Sequence, residues 1–268
     1  VGGISVTTET VKVVVLAAGM GTRLRPLTDS VPKCLTPLMG KSLLARQLEI
    51  YAVEGLTDTS LVVGYRAEKL SGLGSRQYTN EKFESTNMVE SLMAGRELFD
   101  SRSTVLMVYG DIVFERLVVQ SALSSPHAVA VVVDRDWRRL WEVRMDDPLS
   151  DAETLKIRAD GRLAEVGRKP TSYADIEGQY IGMVAFRPTV HRQVLAVYDS
   201  IGPHDTVDGK PKTSMYMTSF VQRLIDAGLD VGPAFINGGW LEVDSVEDLS
   251  RYEAAATSGL LKHIYADA

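Results

Sequence analysis

Leu16-Ala17-Ala18-Gly19-Met20-Gly21-Thr22-Arg23-Leu24-Arg25-Pro26-Leu27-Thr28, running on to Val31-Pro32-Lys33, follows the β-branched run Val11-Lys12-Val13-Val14-Val15. Such a run predicts a strand over 11–17 that is buried on both faces. In open α/β sheets, ligands bind beyond the carboxyl ends of the strands, which is where this loop begins. Gly19 and Gly21 let backbone N–H groups approach a phosphate that a Cβ would hold off. Arg23, Arg25 and Lys33 bring cations to the same place, and a triphosphate needs both close amide donors and cations. A tight turn with solvated arginines is the plain alternative. Two familiar phosphate loops do not fit. A dinucleotide fingerprint would need Gly or Ala where Leu24 stands, and an acid near Val63-Gly64-Tyr65-Arg66. A P-loop ending in Gly40-Lys41-Ser42 would need glycine where Leu35 stands.

Outward from this loop the pattern alternates. Leu44, Leu48, Tyr51 and Ala52 share one helical face, closed by Gly55. Leu61–Val63 and Thr104–Tyr109 read as strands on either side of a helix marked by Val89, Leu92, Met93 and Arg96. Further on, Ala128–Val133, Tyr180–Phe186 and Trp240–Val243 read as strands. Met217, Val221, Leu224 and Ile225 mark a helix stopped by Gly228, and Ser245 with Asp248 is a capping box opening the last helix. Strands alternating with helices predict an α/β fold around a largely parallel sheet. Residues 1–10 read as a disordered or expression-derived lead-in, and residues 11–268 as one domain. The polar, turn-rich segment 135–178 is expected to be a lid or substrate-binding insert.

The chain has 268 residues, a length of one large or two small domains, and its 29 Lys+Arg against 35 Asp+Glu give a net charge of −6. An acidic balance argues against a nucleic-acid partner. Val13–Ala18 is far shorter than the roughly 20 apolar residues of a membrane span and lacks the flanks of a signal peptide. A single cysteine, Cys34, excludes an internal disulfide, and four scattered histidines without an H-E-x-x-H pattern argue against a zinc enzyme. A cytoplasmic location is expected, and nothing in the composition opposes a homo-oligomer.

Tyr109-Gly110-Asp111 and Glu242-Val243-Asp244 each place a carboxylate after an apolar strand. Mg²⁺ is held by one or two carboxylates together with phosphate oxygens and water, so Asp111 and Asp244 are candidate ligands. For Asp244, beside Ser245, helix capping is the competing role.

The 16–33 segment closely resembles the signature of nucleotidyltransferases that join a nucleoside triphosphate to a phosphate-bearing small molecule. The resemblance extends to Gly110-Asp111 and Glu242-Val243-Asp244, and so across most of the chain. Asn87-Met88-Val89-Glu90-Ser91-Leu92 is similar to the branch that uses CTP, which includes phosphocholine and phosphonate cytidylyltransferases. The resemblance implies a Rossmann-like nucleotidyltransferase fold with Mg²⁺ on Asp111 and Asp244. It implies attack by an acceptor oxygen on the α-phosphorus of CTP, with Arg23 on the leaving pyrophosphate and Lys33 on the phosphates around the reacting centre. Lys169, in Glu165-Val166-Gly167-Arg168-Lys169-Pro170, resembles an acceptor-side element; a solvated turn residue is the alternative. The nucleotide is expected against Leu16, Ala17, Ala18, Gly19, Gly21 and Thr22, with Asn87 or Ser91 reading the base, although Asn87 is equally placed to cap a helix. For the acceptor, Trp137 and Tyr180 offer aromatic faces and Glu177 a carboxylate, with core packing as the competing role of the aromatics. The same chemistry run with dTTP, UTP or GTP on a sugar 1-phosphate, and a binding protein without turnover, are the alternative functions.

Overall fold

The computed structural model describes residues 10–266. A seven-stranded sheet forms the middle layer. Its strands, in chain order, are β1 (Val11–Ala17), β2 (Asp58–Val63), β3 (Arg76–Thr79), β4 (Thr104–Tyr109), β5 (Val129–Asp134), β6 (Gln179–Phe186) and β7 (Val231–Ile236). Their spatial order is β7-β5-β6-β4-β1-β2-β3, and every pairing is parallel except those of β6, which runs antiparallel to both β4 and β5. The expected α/β class with a largely parallel sheet is what the chain adopts.

Successive strand residues face opposite sides, and the two sides have separate cores. Val13, Val15 and Ala17 of β1 point into one, with α1 (Leu43–Val53), α3 (Arg116–Ser124), α4 (Trp137–Arg144) and α7 (Val246–Thr257). Val14 and Ala18 point into the other, with α2 (Met88–Ala94), α5 (His191–Ser200) and α6 (Met217–Asp226). Val13, Val14 and Val15 are completely buried, each contributing about 1.5–3 kcal/mol relative to exposure. This three-layer packing holds β1 rigid and so fixes where its loop begins.

The structure adds elements that the sequence pattern hides. β3 is an exposed, polar edge strand, and β7 contains Gly232-Pro233, a pair tolerated because β7 is the opposite edge. Trp240–Glu242 is a strand, as expected, but outside the main sheet: it pairs antiparallel with Ile112–Phe114 in a two-stranded ribbon. Of the expected lead-in, residues 1–9 lie outside the described residues, while Thr10 is tied down, its hydroxyl 2.7 Å from that of Ser103. Residues 135–178 contain α4, which packs on α7, and the hairpin Leu155–Ile157/Leu163–Val166, which packs on α6. No helix among the described residues is long and apolar enough to cross a membrane.

Candidate active site

A cavity of about 310 Å³ opens at the carboxyl ends of β1 and β4. Leu16, Ala17, Ala18, Gly19, Gly21, Thr22, Arg23 and Lys33 line one side, Asn87 and Ser91 another, and Asp111 and Asp244 a third. All eight nucleotide residues, two of the three catalytic residues and both metal residues expected from sequence therefore meet in one place.

The loop's geometry shows why its residue types are needed. Gly21 has φ +62°, and a Cβ there would come within 2.9 Å of the Lys33 Cβ. Thr28 Oγ1 donates to the Gly21 carbonyl at 2.8 Å, closing the loop back on itself. Lys33 opens a single 3-10 turn, Lys33–Leu35, behind Pro32. Gly110 performs a similar service for β4: a Cβ would come within 2.8 Å of the Leu16 carbonyl oxygen, so only glycine lets the ends of β1 and β4 lie so close.

Asp111 and Asp244 each follow an apolar strand, as expected, but only the first of these strands belongs to the main sheet. Asp111 follows β4, but Asp244 follows the ribbon strand, whose Glu242 sits opposite Ile112, and the Val243 N–H donates to the Asp111 carbonyl at 2.9 Å. Gln47 of α1, fully buried, donates to the carbonyls of Tyr109 at 2.8 Å and Ile112 at 2.7 Å, clamping the intervening turn. The capping role is real as well, but another carboxylate performs it: Asp248 accepts from the Asp244 and Ser245 N–H groups, which leaves the Asp244 side chain free for the cavity.

Lys33 Nζ donates to Asp111 Oδ2 at 2.6 Å and also to Asp244 Oδ1. Burial alone would lower the pKa of this ammonium, but Asp111 and Asp244 outweigh it and hold Lys33 protonated well above its ordinary range. Burial pushes Asp244 up, and Lys33, Arg23 and Arg144 together pull it below its usual value. Glu242 completes the cluster: one oxygen each from Asp111, Glu242 and Asp244 lie within 4.8 Å of one another. Burial raises Glu242, and Asp244 and Asp111 add to the rise against the pull of Arg144 and Lys33. Asp111 Oδ1 is buried without a hydrogen-bond partner. A trio of hard oxygen ligands with one atom unsatisfied fits a divalent cation such as Mg²⁺.

Besides Gln47, the sequence reading missed three supporting residues. Glu242 had a signal, since positions i and i+2 of a strand share a face with Asp244. Arg144, with a side chain only 3% exposed, lies 2.5 Å from Glu242 and 3.3 Å from Asp248. It falls on the apolar face of α4 after Trp137, Leu140 and Trp141, an odd place for an arginine unless it is paired. Asn80 donates to Ser91 Oγ at 3.0 Å and to Thr86 Oγ1 at 2.9 Å, setting the wall beside α2. Asn87 does cap α2, its Oδ1 accepting from Met88 N–H at 2.8 Å, while still lining the cavity.

The remaining expected residues are not brought to this cavity. Lys169 Nζ donates to the carbonyls of Leu149 at 2.7 Å and Ser150 at 2.5 Å, finishing an exposed turn. Trp137 is buried against Trp141 and Tyr173. Glu177 is exposed, and its carboxylate accepts from Ile157 N–H at 3.3 Å beside the hairpin. Tyr180 lies one ring away, edge-on to the lining residue Tyr109 with centroids 5.8 Å apart.

Amide donors, cations and acids arranged around one cavity at the end of a parallel sheet define a nucleotidyltransferase. Residues 13–203 match the family model of the MobA-like NTP transferase domain, and the chain belongs to that family. Among curated proteins it is similar to the CTP:phosphoglutamine cytidylyltransferase of Campylobacter jejuni, with 33% identity over 88% of this chain and 96% of that one. It is also similar to a glucose-1-phosphate thymidylyltransferase of Streptomyces griseus, with 28% identity over 89% of this chain and 64% of that protein. The solved structure of the CTP:phosphocholine cytidylyltransferase of Streptococcus pneumoniae shares the fold, with a TM-score of 0.71 at 23% identity over 92% of this chain and 99% of that one.

Proposed function

We propose that this chain transfers CMP from CTP to a small acceptor bearing a phosphate or phosphonate, releasing pyrophosphate. The observation that carries the reading is Lys33, an ammonium that bridges Asp111 and Asp244 and lines the cavity beside the 16–22 loop. In the reaction an acceptor oxygen forms a bond to the α-phosphorus while the α–β anhydride bond breaks. Such an oxygen is already anionic near neutral pH, so the chain supplies position and charge rather than a base. The 16–22 backbone receives the phosphates. Lys33 neutralises charge near the α-phosphorus, and Arg23, 3.2 Å from Asp244 with a largely exposed side chain, faces the departing pyrophosphate. A divalent cation bound by Asp111, Glu242 and Asp244 would add Lewis-acid polarisation of phosphate oxygens.

The lean toward cytosine rests on the relative from Campylobacter and on Ser91. Because Asn80 donates to Ser91 Oγ, one lone pair is taken and the hydroxyl proton remains for a ligand. A hydroxyl donor suits the acceptor edge of cytosine, whereas uracil presents an N–H at N3. A second reading, a sugar-1-phosphate nucleotidyltransferase, is favoured by the thymidylyltransferase similarity. Pyrophosphate release across CTP, UTP, dTTP and GTP separates the two. The acceptors for that assay are phosphocholine, phosphoglutamine, 2-aminoethylphosphonate, 2-hydroxyethylphosphonate and glucose 1-phosphate.

A further inference from the structure

Two of the cavity's carboxylates are held from behind by an arginine that does not line it. α4 carries Trp137, Leu140, Trp141 and Arg144 on one buried stripe, at the i, i+3, i+4, i+7 spacing of a helix face turned to the core. Trp141 packs on Trp240, the first residue of the ribbon strand, with ring centroids 6.0 Å apart. The Arg144 guanidinium continues that contact, 5.4 Å from the centre of the Trp141 ring. Docking of the tryptophan pair thus delivers Arg144 to the far end of the same strand, where Glu242 and Asp244 stand.

Arg144 meets the acids with three different nitrogens. Nη1 donates to Glu242 Oε2 at 2.5 Å, Nη2 is paired with Asp244 Oδ2 at 3.6 Å, and Nε donates to Asp248 Oδ1 at 3.3 Å. Asp248 is itself fixed, because its other oxygen accepts the Asp244 and Ser245 N–H groups at 2.8 and 3.0 Å. The Tyr252 hydroxyl donates to the Glu242 carbonyl at 2.7 Å and anchors the backbone between the two acids. A planar guanidinium with its donors in a rigid fork serves two carboxylates at once, whereas a lysine ammonium is a point charge on a flexible stem. With Glu242 Oε2 and Asp244 Oδ2 engaged from behind, each of these lining side chains has one oxygen left to present to the cavity. Asp244 Oδ1 already meets Lys33 there.

We propose that Arg144 is a positioning residue for the divalent cation: it holds Glu242 and Asp244 to ligation through one oxygen each, and thereby favours Mg²⁺ over Ca²⁺. The proposal rests on the cation site read above from Asp111, Glu242 and Asp244. Mg²⁺ is small, demands near-octahedral geometry and keeps several waters, so single carboxylate oxygens suit it. Ca²⁺ takes more oxygens in a looser geometry and readily uses both oxygens of one carboxylate. An arginine that occupies the second oxygen of two ligands removes that option for Ca²⁺, and Mg²⁺ loses nothing by it. Partners that orient metal ligands in this way also raise affinity for the ion the orientation suits.

The test is calorimetric titration of the folded chain with MgCl₂ and with CaCl₂, without nucleotide, for wild type, Arg144→Lys and Asp248→Asn. Arg144→Lys keeps the positive charge among the acids but not the fork. It should lower Mg²⁺ affinity about tenfold, the small end of the effect of removing a hydrogen-bond partner behind a metal ligand, while Ca²⁺ affinity holds or rises. Asp248→Asn leaves every proposed cation ligand in place, and the asparagine oxygen still accepts the Asp244 and Ser245 N–H groups. It loosens only the Nε end of Arg144, and should move the Mg²⁺-to-Ca²⁺ affinity ratio the same way by a smaller factor. A thermal melt checks each fold, and Asp248→Asn carries the test if Arg144→Lys does not fold. Wild-type ratios in the folded variants, or equal losses for the two ions, overturn the proposal, since a role in packing or charge alone moves both ions together. Absence of Mg²⁺ binding by wild type overturns it along with the cation site itself. The cytidylyl reading is judged separately, by nucleotide preference.

Discussion

Replacing Lys33 by alanine removes the one ammonium that links both aspartates of the cavity. Its Nζ lies 2.6 Å from Asp111, and Asp111 has no other ion-pair partner among the described residues. Unit charges about 4 Å apart interact by about 4 kcal/mol at an effective dielectric constant of about 20. Losing one preorganised contact to charge that develops in a transition state costs about 10²–10³ in rate, or about 2.7–4 kcal/mol. Lys33→Ala is therefore expected to lower kcat by that second factor. The loop itself should survive, because Leu24 and Cys34 stay buried and the Thr28–Gly21 bond does not involve Lys33. The assay is steady-state pyrophosphate release at saturating CTP, with circular dichroism to establish the fold. A folded Lys33→Ala enzyme with near wild-type kcat would remove Lys33 from the chemistry and with it the argument from charge.

Asp111→Asn and Asp244→Asn should each weaken the Mg²⁺ dependence of turnover, and the double variant should lose less than the product of the singles, since the two share one cluster. Clean multiplication of the losses, measured by Mg²⁺ titration of initial rates, speaks against a common site. Ser91→Ala should narrow the preference for CTP over UTP, since the hydroxyl donor disappears and Asn80 loses a partner; an unchanged kcat/KM ratio rejects that role. Glu153 gives a pH signature. Burial, then Asp151, raises its folded pKa to about 7, above the ordinary carboxylate value of about 4.3. The folded state then holds the proton longer, and this group's contribution to stability is lost as pH rises from about 4.3 through about 7. Glu153→Gln should flatten that fall and melt no lower than wild type at pH 8, and a steeper fall in the variant contradicts the assignment.

How much was legible followed from how local each signal is. The strand–loop unit of residues 11–33 and the turn after Tyr109 carry their chemistry in contiguous residues, so both the fold class and most of the cavity could be read. Asp244 was legible as a carboxylate, but not its route to Asp111. That route depends on a two-stranded ribbon joining residues more than a hundred positions apart, and neither strand signals its partner. Arg144 was overlooked because a charge amid aromatics reads as surface until its three acids are placed around it. Trp137 looked like a ligand contact by type, yet helical spacing with Leu140 and Trp141 puts it on the buried stripe of α4. Gln47 is a polar residue whose role depends on backbone carbonyls more than sixty positions away, and one-dimensional patterns carry no trace of such partners.

The most direct test of the central claim is the specificity constant for each nucleoside triphosphate, read as pyrophosphate release with Mg²⁺ and the acceptor panel. A cavity that offers a hydroxyl donor to the base edge, fixed by Asn80, predicts that CTP exceeds UTP, dTTP and GTP with a phosphate- or phosphonate-bearing acceptor. A larger kcat/KM for dTTP or GTP, with glucose 1-phosphate as the working acceptor, would contradict the cytidylyltransferase account and establish the sugar nucleotide reading in its place.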